Sequence, residues 1–590
     1  MDSDRLEVAA PASDQGIGTR RLKPGGFLSS ALFLVPAGGF LLLFYFYPLA
    51  AILRAGLAPE GRLSADGLAA LTQGGYLFKV MGFTLWQAAL STLLTLAAGL
   101  PGAYLVARYR FRGQGALRAL AGVPFVMPTL VVAAAFNALL GPRGWVNLTL
   151  MTTFHLSAPP VQVMNTLGVI LLAHVFYNTT VVLRLVGDFW AHLDPRITGA
   201  ARTLGASSVQ AFARVTLPLL SPAILAAALL VFIFDFTSFG VILVLGGPAF
   251  STLEVEIYQQ TLALHLPAAA TLVLIQLACT LTFTALYARF NARLTAPLQM
   301  RPLALTRRPL DSGRARLAGL FIGGGLLLLL VAPLGALAVR SVSRLEAERG
   351  QRTAVTPGLT TQYYQALFIN SRESIFYVPP IAAFRNSLGV AGLTTLLSLA
   401  LGLPTALALR QRGQAQHMAA GFEALLMLPL GTSAITLGFG FIIAFSRPPL
   451  DWRASPWLLP LAHTLVAFPF VVRSLLPPLR SIRPQLRRAA AVLGAGPVRA
   501  FVEVDLPLVG RALMVAGAFA FAISLGEFGA TTLVARPDFP TIPIAIYRFL
   551  SQPGALNYGQ ALAMSTLLMA ICAVSLLAIE SLRVGEVGEF

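Results

Sequence analysis

Stretches of roughly 20 or more apolar residues, enough for an α-helix to cross the hydrocarbon core of a bilayer, recur about twelve times along this chain. Lipid offers a backbone no water to bond, so each run must fold as a helix that satisfies its own amides. The first six centre near Gly38, Leu94, Val131, Val175, Leu230 and Leu277, and the second six near Leu328, Leu396, Ser433, Val466, Ala518 and Met569. A hydrophobic fraction of 56% against 11% charged residues is too apolar for a soluble globular chain of 590 residues. The expected fold class is an all-α membrane protein with about twelve transmembrane helices. The polar tail 1–26, carrying Arg20, Arg21 and Lys23, leads into an apolar run from Phe27. That run is too long for a signal-peptide core and reads as an uncleaved first span.

The formal charge of +19 does not describe a nucleic-acid surface, because the basic residues form short clusters between apolar runs. They fit the bias that keeps arginine on the cytoplasmic side of a membrane. Arg108, Arg110, Arg112 and Arg118 form one group, Arg196, Arg202 and Arg214 the next, and the stretch from Arg289 to Arg316 a third. Arg410 and Arg412, then Arg480, Arg483, Arg487, Arg488 and Arg499, repeat the pattern in the second half. On an outer loop, Arg344, Arg349 and Arg352 are mixed with Glu346 and Glu348. Both termini are expected in the cytoplasm, in the plasma membrane of a prokaryote. The two cysteines, Cys279 and Cys572, lie in apolar runs with no partner at metal-ligand spacing, and no metal site is expected.

The chain repeats itself. His174 aligns with His463, Arg184 with Arg473, Pro195 with Pro484, Gly205 with Gly494, Pro218 with Pro507, Gly240 with Gly529 and Tyr258 with Tyr547, always 289 positions apart. Gly99-Leu100-Pro101 aligns with Gly402-Leu403-Pro404 at 303 positions, so the first half holds 14 extra residues, expected in an outer loop around Ala158 to Val161. Each half holds an even number of spans, so the two are expected to be parallel repeats of six about an axis along the membrane normal, with a pathway between them. The domain reading is a tail at 1–26, a first half at 27–292, a basic cytoplasmic linker at 293–316 and a second half at 317–583.

Between the fourth and fifth spans of the first half lies GAARTLGASSVQAFARVTLP, residues 199–218. The second half places RAAAVLGAGPVRAFVEVDLP, residues 488–507, at the same point. An Ala-rich turn of helix meets a glycine, where the chain can change direction sharply, and an amphipathic stretch then runs into Leu-Pro at the start of the next span. The expected product is a short exposed helix across the cytoplasmic mouth.

These loops resemble the EAA loop of binding-protein-dependent ABC importers: Glu-Ala-Ala, three residues, Gly, nine residues, an aliphatic residue, any residue, then Leu-Pro. Ala200, Ala201, Gly205, Val215, Leu217 and Pro218 fit it, as do Ala489, Ala490, Gly494, Val504, Leu506 and Pro507. Gly199 and Arg488 stand where the family has glutamate. The segments 171–178, 239–247 and 524–534 are similar to fused two-half permeases for thiamine and, more distantly, ferric iron. The last is also similar to molybdate and sulfate permeases. The resemblance implies the type I importer permease fold, two copies of a separate ABC ATPase carrying ATP and Mg, an extracytoplasmic binding protein, and no cofactor bound by this chain. It implies thiamine or ferric iron as the solute.

Asp235 and Glu527 are acidic residues at membrane depth, where an unpaired charge costs several kcal/mol and must face protein or water. They are offset in register, Asp235 matching Ser524 and Ser238 matching Glu527. These four, with Phe239 and Phe528, are candidates to line the pathway; the acids either meet a cationic solute or brace helix ends. His174 and His463 are candidates for interhelical hydrogen bonds or, as a pair, for iron. Arg184 and Arg473 sit near cytoplasmic helix ends, where snorkelling explains them. No catalytic constellation is present, and the lysines, Lys23 and Lys79, precede proline and valine, so no Walker A loop exists. The alternative class, an ion-coupled secondary transporter of about twelve spans, does not explain the paired loops.

Overall fold

The computed structural model describes residues 25–583 except 59–60, 63–68, 70–74, 295–305, 345–357, 370–378, 411–415, 447, 449 and 454. Most of the tail, part of the basic linker and the mixed-charge loop after Arg344 lie outside the described residues. The first half comprises α1 (Leu32–Leu57), α2 (Tyr76–Arg108), α3 (Gln114–Val126), α4 (Thr129–Leu140), α5 (Trp145–Phe154), α6 (Leu167–His192), α7 (Pro195–Thr203), α8 (Ser208–Phe236), α9 (Gly240–Leu245), α10 (Leu253–Leu262) and α11 (Leu266–Leu294). The second comprises α12 (Gly313–Ser341), α13 (Pro380–Leu409), α14 (Gln416–Met427), α15 (Ala434–Ala444), α16 (Leu458–Ser481), α17 (Pro484–Val492), α18 (Pro497–Gly526), α19 (Gly529–Val534), α20 (Ile542–Leu550) and α21 (Ala555–Arg583).

Among the described residues 11 helices are long and apolar enough to cross a membrane, and the bent pair α14/α15, folded through 95°, makes a twelfth. The protein is a multi-pass membrane protein with all the expected spans. In the first half α3 and α4 form the corresponding break, at Pro128.

The extra residues of the first half are not confined to Ala158–Val161. Between α4 and α6 the chain carries 141–166, whereas the second half needs only 445–457 between α15 and α16. The difference is chiefly the additional helix α5. Buried Asn147 pins it, donating to Gly141 O at 2.9 Å and Val161 O at 2.8 Å while accepting from Val161 N at 2.8 Å. Ala158–Val161 lie within this longer segment, at the end where Val161 meets Asn147.

Each half lends its first span to the other. Helix α1 packs on α13 and α15, and its Leu34, Ala37, Leu41 and Phe44 belong to the core of the second half. Helix α12 packs on α2, α3 and α4, placing Leu326, Leu330 and Leu337 in the core of the first. Small residues permit these crossings, since lipid supplies no hydrophobic drive between helices and close packing must hold them. A Cβ at Gly102 would lie 2.6 Å from Leu326, and one at Gly440 would lie 3.0 Å from Pro48.

The repeated Gly-Leu-Pro has the same physical basis. A Cβ at Gly99 would lie 2.7 Å from Val182, and one at Gly402 would lie 2.6 Å from Val471. Both glycines mark the crossing of a half's second and fourth spans. Two-residue strands β1 (Tyr109–Arg110) and β2 (Arg308–Pro309) pair in parallel, tying the linker to the end of α2.

Candidate coupling turns and translocation barrier

The two motif loops fold alike. Pro195 opens α7 and Pro484 opens α17, each at the first helical turn where no amide partner is lost. Gly205 has φ +91° and Gly494 φ +81°, with open space where a Cβ would stand, so backbone conformation alone requires glycine at both. After each glycine the helix end is closed by a Schellman pair. Gly205 N donates to Arg202 O and Ala206 N to Ala201 O, both at 3.1 Å; Gly494 N donates to Ala491 O at 3.1 Å and Ala495 N to Ala490 O at 2.9 Å. The second alanine of the motif thus supplies the carbonyl that ends the helix.

A bulge of π-helix, Phe212–Thr216 or Phe501–Asp505, lies near the start of the long span that follows, α8 or α18. These turns present apolar side chains outward: Leu204 is 89% exposed, Val209 76%, Val492 and Leu493 86%, and Val498 77%. Such side chains, repeated on two equivalent projections, mark an interaction surface. Gly199 and Arg488, at the family's glutamate position, are both exposed.

The turns are anchored differently. Ser207 and Gln210 cap the first with a reciprocal capping box, and Thr198 Oγ1 meets Thr216 Oγ1 at 3.1 Å. In the second, Arg487 and Asp505 occupy the places of those threonines. Buried Asp505 receives Arg487 Nε at 2.7 Å and Arg410 Nη1, from the end of α13, at 2.9 Å.

Deeper in the bundle, each half joins a histidine, an acid and a serine. His174 Nδ1 lies 3.5 Å from Asp235 Oδ1 and its Nε2 2.8 Å from Ser238 Oγ. His463 Nδ1 lies 2.7 Å from Ser524 Oγ and its Nε2 3.3 Å from Glu527 Oε2. The ring keeps its orientation while acid and hydroxyl exchange places, which explains the offset in register. Both acids are buried. Asp235 is 1% exposed and accepts from Asn178 Nδ2 at 2.7 Å, and its carbonyl accepts from Gln87 at 2.8 Å. Glu527 is 8% exposed and caps α19, accepting from Ala530 N at 2.8 Å and Thr531 N at 2.9 Å. Both acids are held by donors on their own or neighbouring helices. The histidines hydrogen-bond within their own halves.

The aromatic residues do meet. Phe239 and Phe528 stack across the junction of the halves, centroids 5.5 Å apart and planes at 22°. Tyr258 stands 5.3 Å from Phe239, and Tyr547 stands 5.6 Å from Phe528. Each phenylalanine immediately precedes a short helix, α9 or α19, that restarts after the long span breaks. A Cβ at Gly240 would lie 2.5 Å from Thr129 Oγ1, and one at Gly529 would lie 2.8 Å from Ala434 Cβ. The restarted helices therefore seat on the starts of α4 and α15, and the quartet of rings joins the two halves.

Sequence reading missed Glu254. Fully buried on α10, it accepts from Ser433 Oγ at 3.0 Å, at the bend between α14 and α15, and from Gln276. An acid between apolar runs was the available signal, but Pro543 holds the equivalent place in the second half, so the repeat did not flag it.

Residues 99–296 match the family model described as "Binding-protein-dependent transport system inner membrane component". The thiamine transport system permease protein ThiP of Escherichia coli strain K12 is 29% identical over 546 residues, covering 90% of this chain and 94% of that protein. ThiP of Brucella abortus strain 2308 is 28% identical over 576 residues, 96% of each. A Salmonella typhimurium permease protein named for a 2-aminoethylphosphonate transport system is 30% identical over 206 residues, 35% of this chain and 76% of its own length.

Proposed function

This chain belongs to the family of binding-protein-dependent transport system inner membrane components and is the permease of an ABC importer, and from that premise we propose that its cargo is thiamine. The observation that carries the cargo reading is similarity to thiamine permeases along nine-tenths or more of the chain. The barrier is compatible with it. Thiamine carries a planar thiazolium cation, and the faces of Phe239, Phe528, Tyr258 and Tyr547 attract such a charge without a fixed carboxylate. Asp235 and Glu527 act in this reading as braces that set the break before each phenylalanine.

The two exposed turns each receive one copy of a separate ABC ATPase, which binds Mg and ATP. The face carrying them is cytoplasmic, as are both termini, and a binding protein delivers solute to the opposite face. The apolar side chains around Leu204 and Leu493 enter a cleft of each ATPase. The missing motif glutamate leaves that contact to shape and apolar burial. When the ATPases close on ATP, the turns approach, the halves rock, and the quartet parts to admit solute.

The test is reconstitution in liposomes with the cognate ATPase and binding protein, with calorimetry of that binding protein against thiamine and against ferric iron. Tight thiamine binding and ATP-dependent thiamine uptake are expected. Tight ferric binding with no thiamine uptake would overturn the cargo and leave the permease assignment standing.

A further inference from the structure

Next to the first coupling turn the fold leaves a cavity of about 200 Å³ between α2, α3 and α6. Its floor is Val106, Leu117 and Leu183, and its polar wall is Arg118, Arg184 and Asp188. The volume is far above the ~15 Å³ that a single water requires. The polar wall is unbalanced. Arg118 Nη2, a buried atom on a side chain 37% exposed, lies 3.6 Å from Oδ1 of Asp188, which is 62% exposed, and makes no hydrogen bond among the described residues. Arg307, from the linker, reaches the same place: burial, then Arg118 and then Arg110 hold its guanidinium below the ordinary value, with Asp188 opposing them. Its Nε and Nη2 are buried without a hydrogen-bond partner among the described residues. The β1/β2 pair keeps it there, since Tyr109 and Arg110 lie opposite Arg308 and Pro309.

Arg118 and Arg184 thus line the cavity with Asp188, and Arg307 lies close enough to interact with Arg118 and Asp188. Shared membrane topology does not account for the grouping. At the spacing of the repeat, Gly421 and Pro477 stand where Arg118 and Asp188 would recur, and the described residues of the second half instead pair one arginine, Arg480, with Glu423 at 3.2 Å between α16 and α14. Buried guanidinium nitrogens without acceptors are costly, and a multivalent anion relieves several at once through charge-assisted bonds.

We propose that this cavity binds a phosphate-bearing anion that bridges the linker to the first half beside α7. Two sources share that chemistry: the headgroup of an anionic phospholipid, as basic recesses between membrane helices provide, and a soluble phosphate ester or diphosphate. Arg118 and Arg307 donate to its oxygens, and Asp188 opposes it.

The experiment titrates the purified full-length chain in neutral detergent, at constant ionic strength, with short-chain phosphatidylglycerol and separately with inorganic diphosphate, following the thermal unfolding midpoint. One of the two is expected to raise the midpoint saturably. A response to the lipid assigns the site to the membrane, and a response to diphosphate assigns it to a soluble ligand. Arg118→Gln and Arg307→Gln should each raise the half-saturating concentration by roughly tenfold. Asp188→Asn, which removes no cation, should lower it, a gain that a folding defect cannot imitate. The proposal is overturned if neither probe shifts the midpoint, or if the arginine variants and Asp188→Asn all titrate like the wild type.

Discussion

Replacing Asp505 with asparagine should loosen the second coupling turn far more than any single change of similar size loosens the first. The Asp505 carboxylate, 3% exposed, is the shared acceptor of Arg410 and Arg487, at 2.9 and 2.7 Å. Each bond to a charged group contributes about 1.5–3 kcal/mol, and breaking a buried pair costs about 3–5 kcal/mol. The two guanidinium groups are 20% and 30% exposed and can turn toward water, which places the net loss near the lower end, about 3 kcal/mol. The matching change in the first turn, Thr216→Val, removes one neutral hydrogen bond of about 1 kcal/mol. Hydrogen–deuterium exchange of the full-length permease reads the difference directly, because protected amides exchange in proportion to local opening. The Ala495 amide and its neighbours in 488–507 should exchange about 100-fold faster in Asp505→Asn, against about 5-fold for the Ala206 region in Thr216→Val. Equal acceleration in the two loops, or none in 488–507, would refute the clamp. Arg487→Thr combined with Asp505→Thr rebuilds the first half's pair and should recover part of the loss.

Other consequences follow from the same geometry. Gly205→Val and Gly494→Val place a side chain in the left-handed region, costing about 1–2 kcal/mol each. ATPase co-purification should fall while membrane insertion, read by fractionation, is unchanged. Gly402→Leu, directed at Val471 from 2.6 Å, should lower the thermal midpoint by overpacking worth about 1–3 kcal/mol, whereas Gly389→Leu, with open space around it, should not. Glu527→Gln keeps one acceptor for the α19 amides but loses the charge beside His463. It should slow uptake without weakening ATPase docking, as measured by transport and co-purification on the same membranes.

Much of this architecture is legible because membrane helices announce themselves by length, and because a duplication exposes what both copies need. Gly205 and Gly494 read as direction changes from sequence alone, and both adopt positive φ. The paired Gly-Leu-Pro was visible as a repeat, but its cause, contact with Val182 and Val471, was not. The exchange of α1 and α12 between halves leaves no trace in an apolar run, since lipid-facing and helix-facing leucines look alike. The swapped acid and serine beside His174 and His463 appear in sequence only as an offset of three residues. Their partners are Asn178 and the amides of α19, which lie on other elements or in the backbone. Asn147, Glu254 and the Arg118–Arg307 group occur once, so the repeat offered nothing to compare them with.

The central claim, that both exposed turns seat an ATPase, is tested most directly by cross-linking. In a chain cleared of Cys279 and Cys572, Leu204→Cys and Leu493→Cys would be tested singly, in membranes containing the cognate ATPase subunit. The account predicts that each position cross-links to the ATPase and that Leu204→Glu or Leu493→Glu abolishes both ATPase retention and ATP-dependent uptake. ATP-driven uptake that persists with glutamate at both positions, with no cross-link from either cysteine, would contradict it.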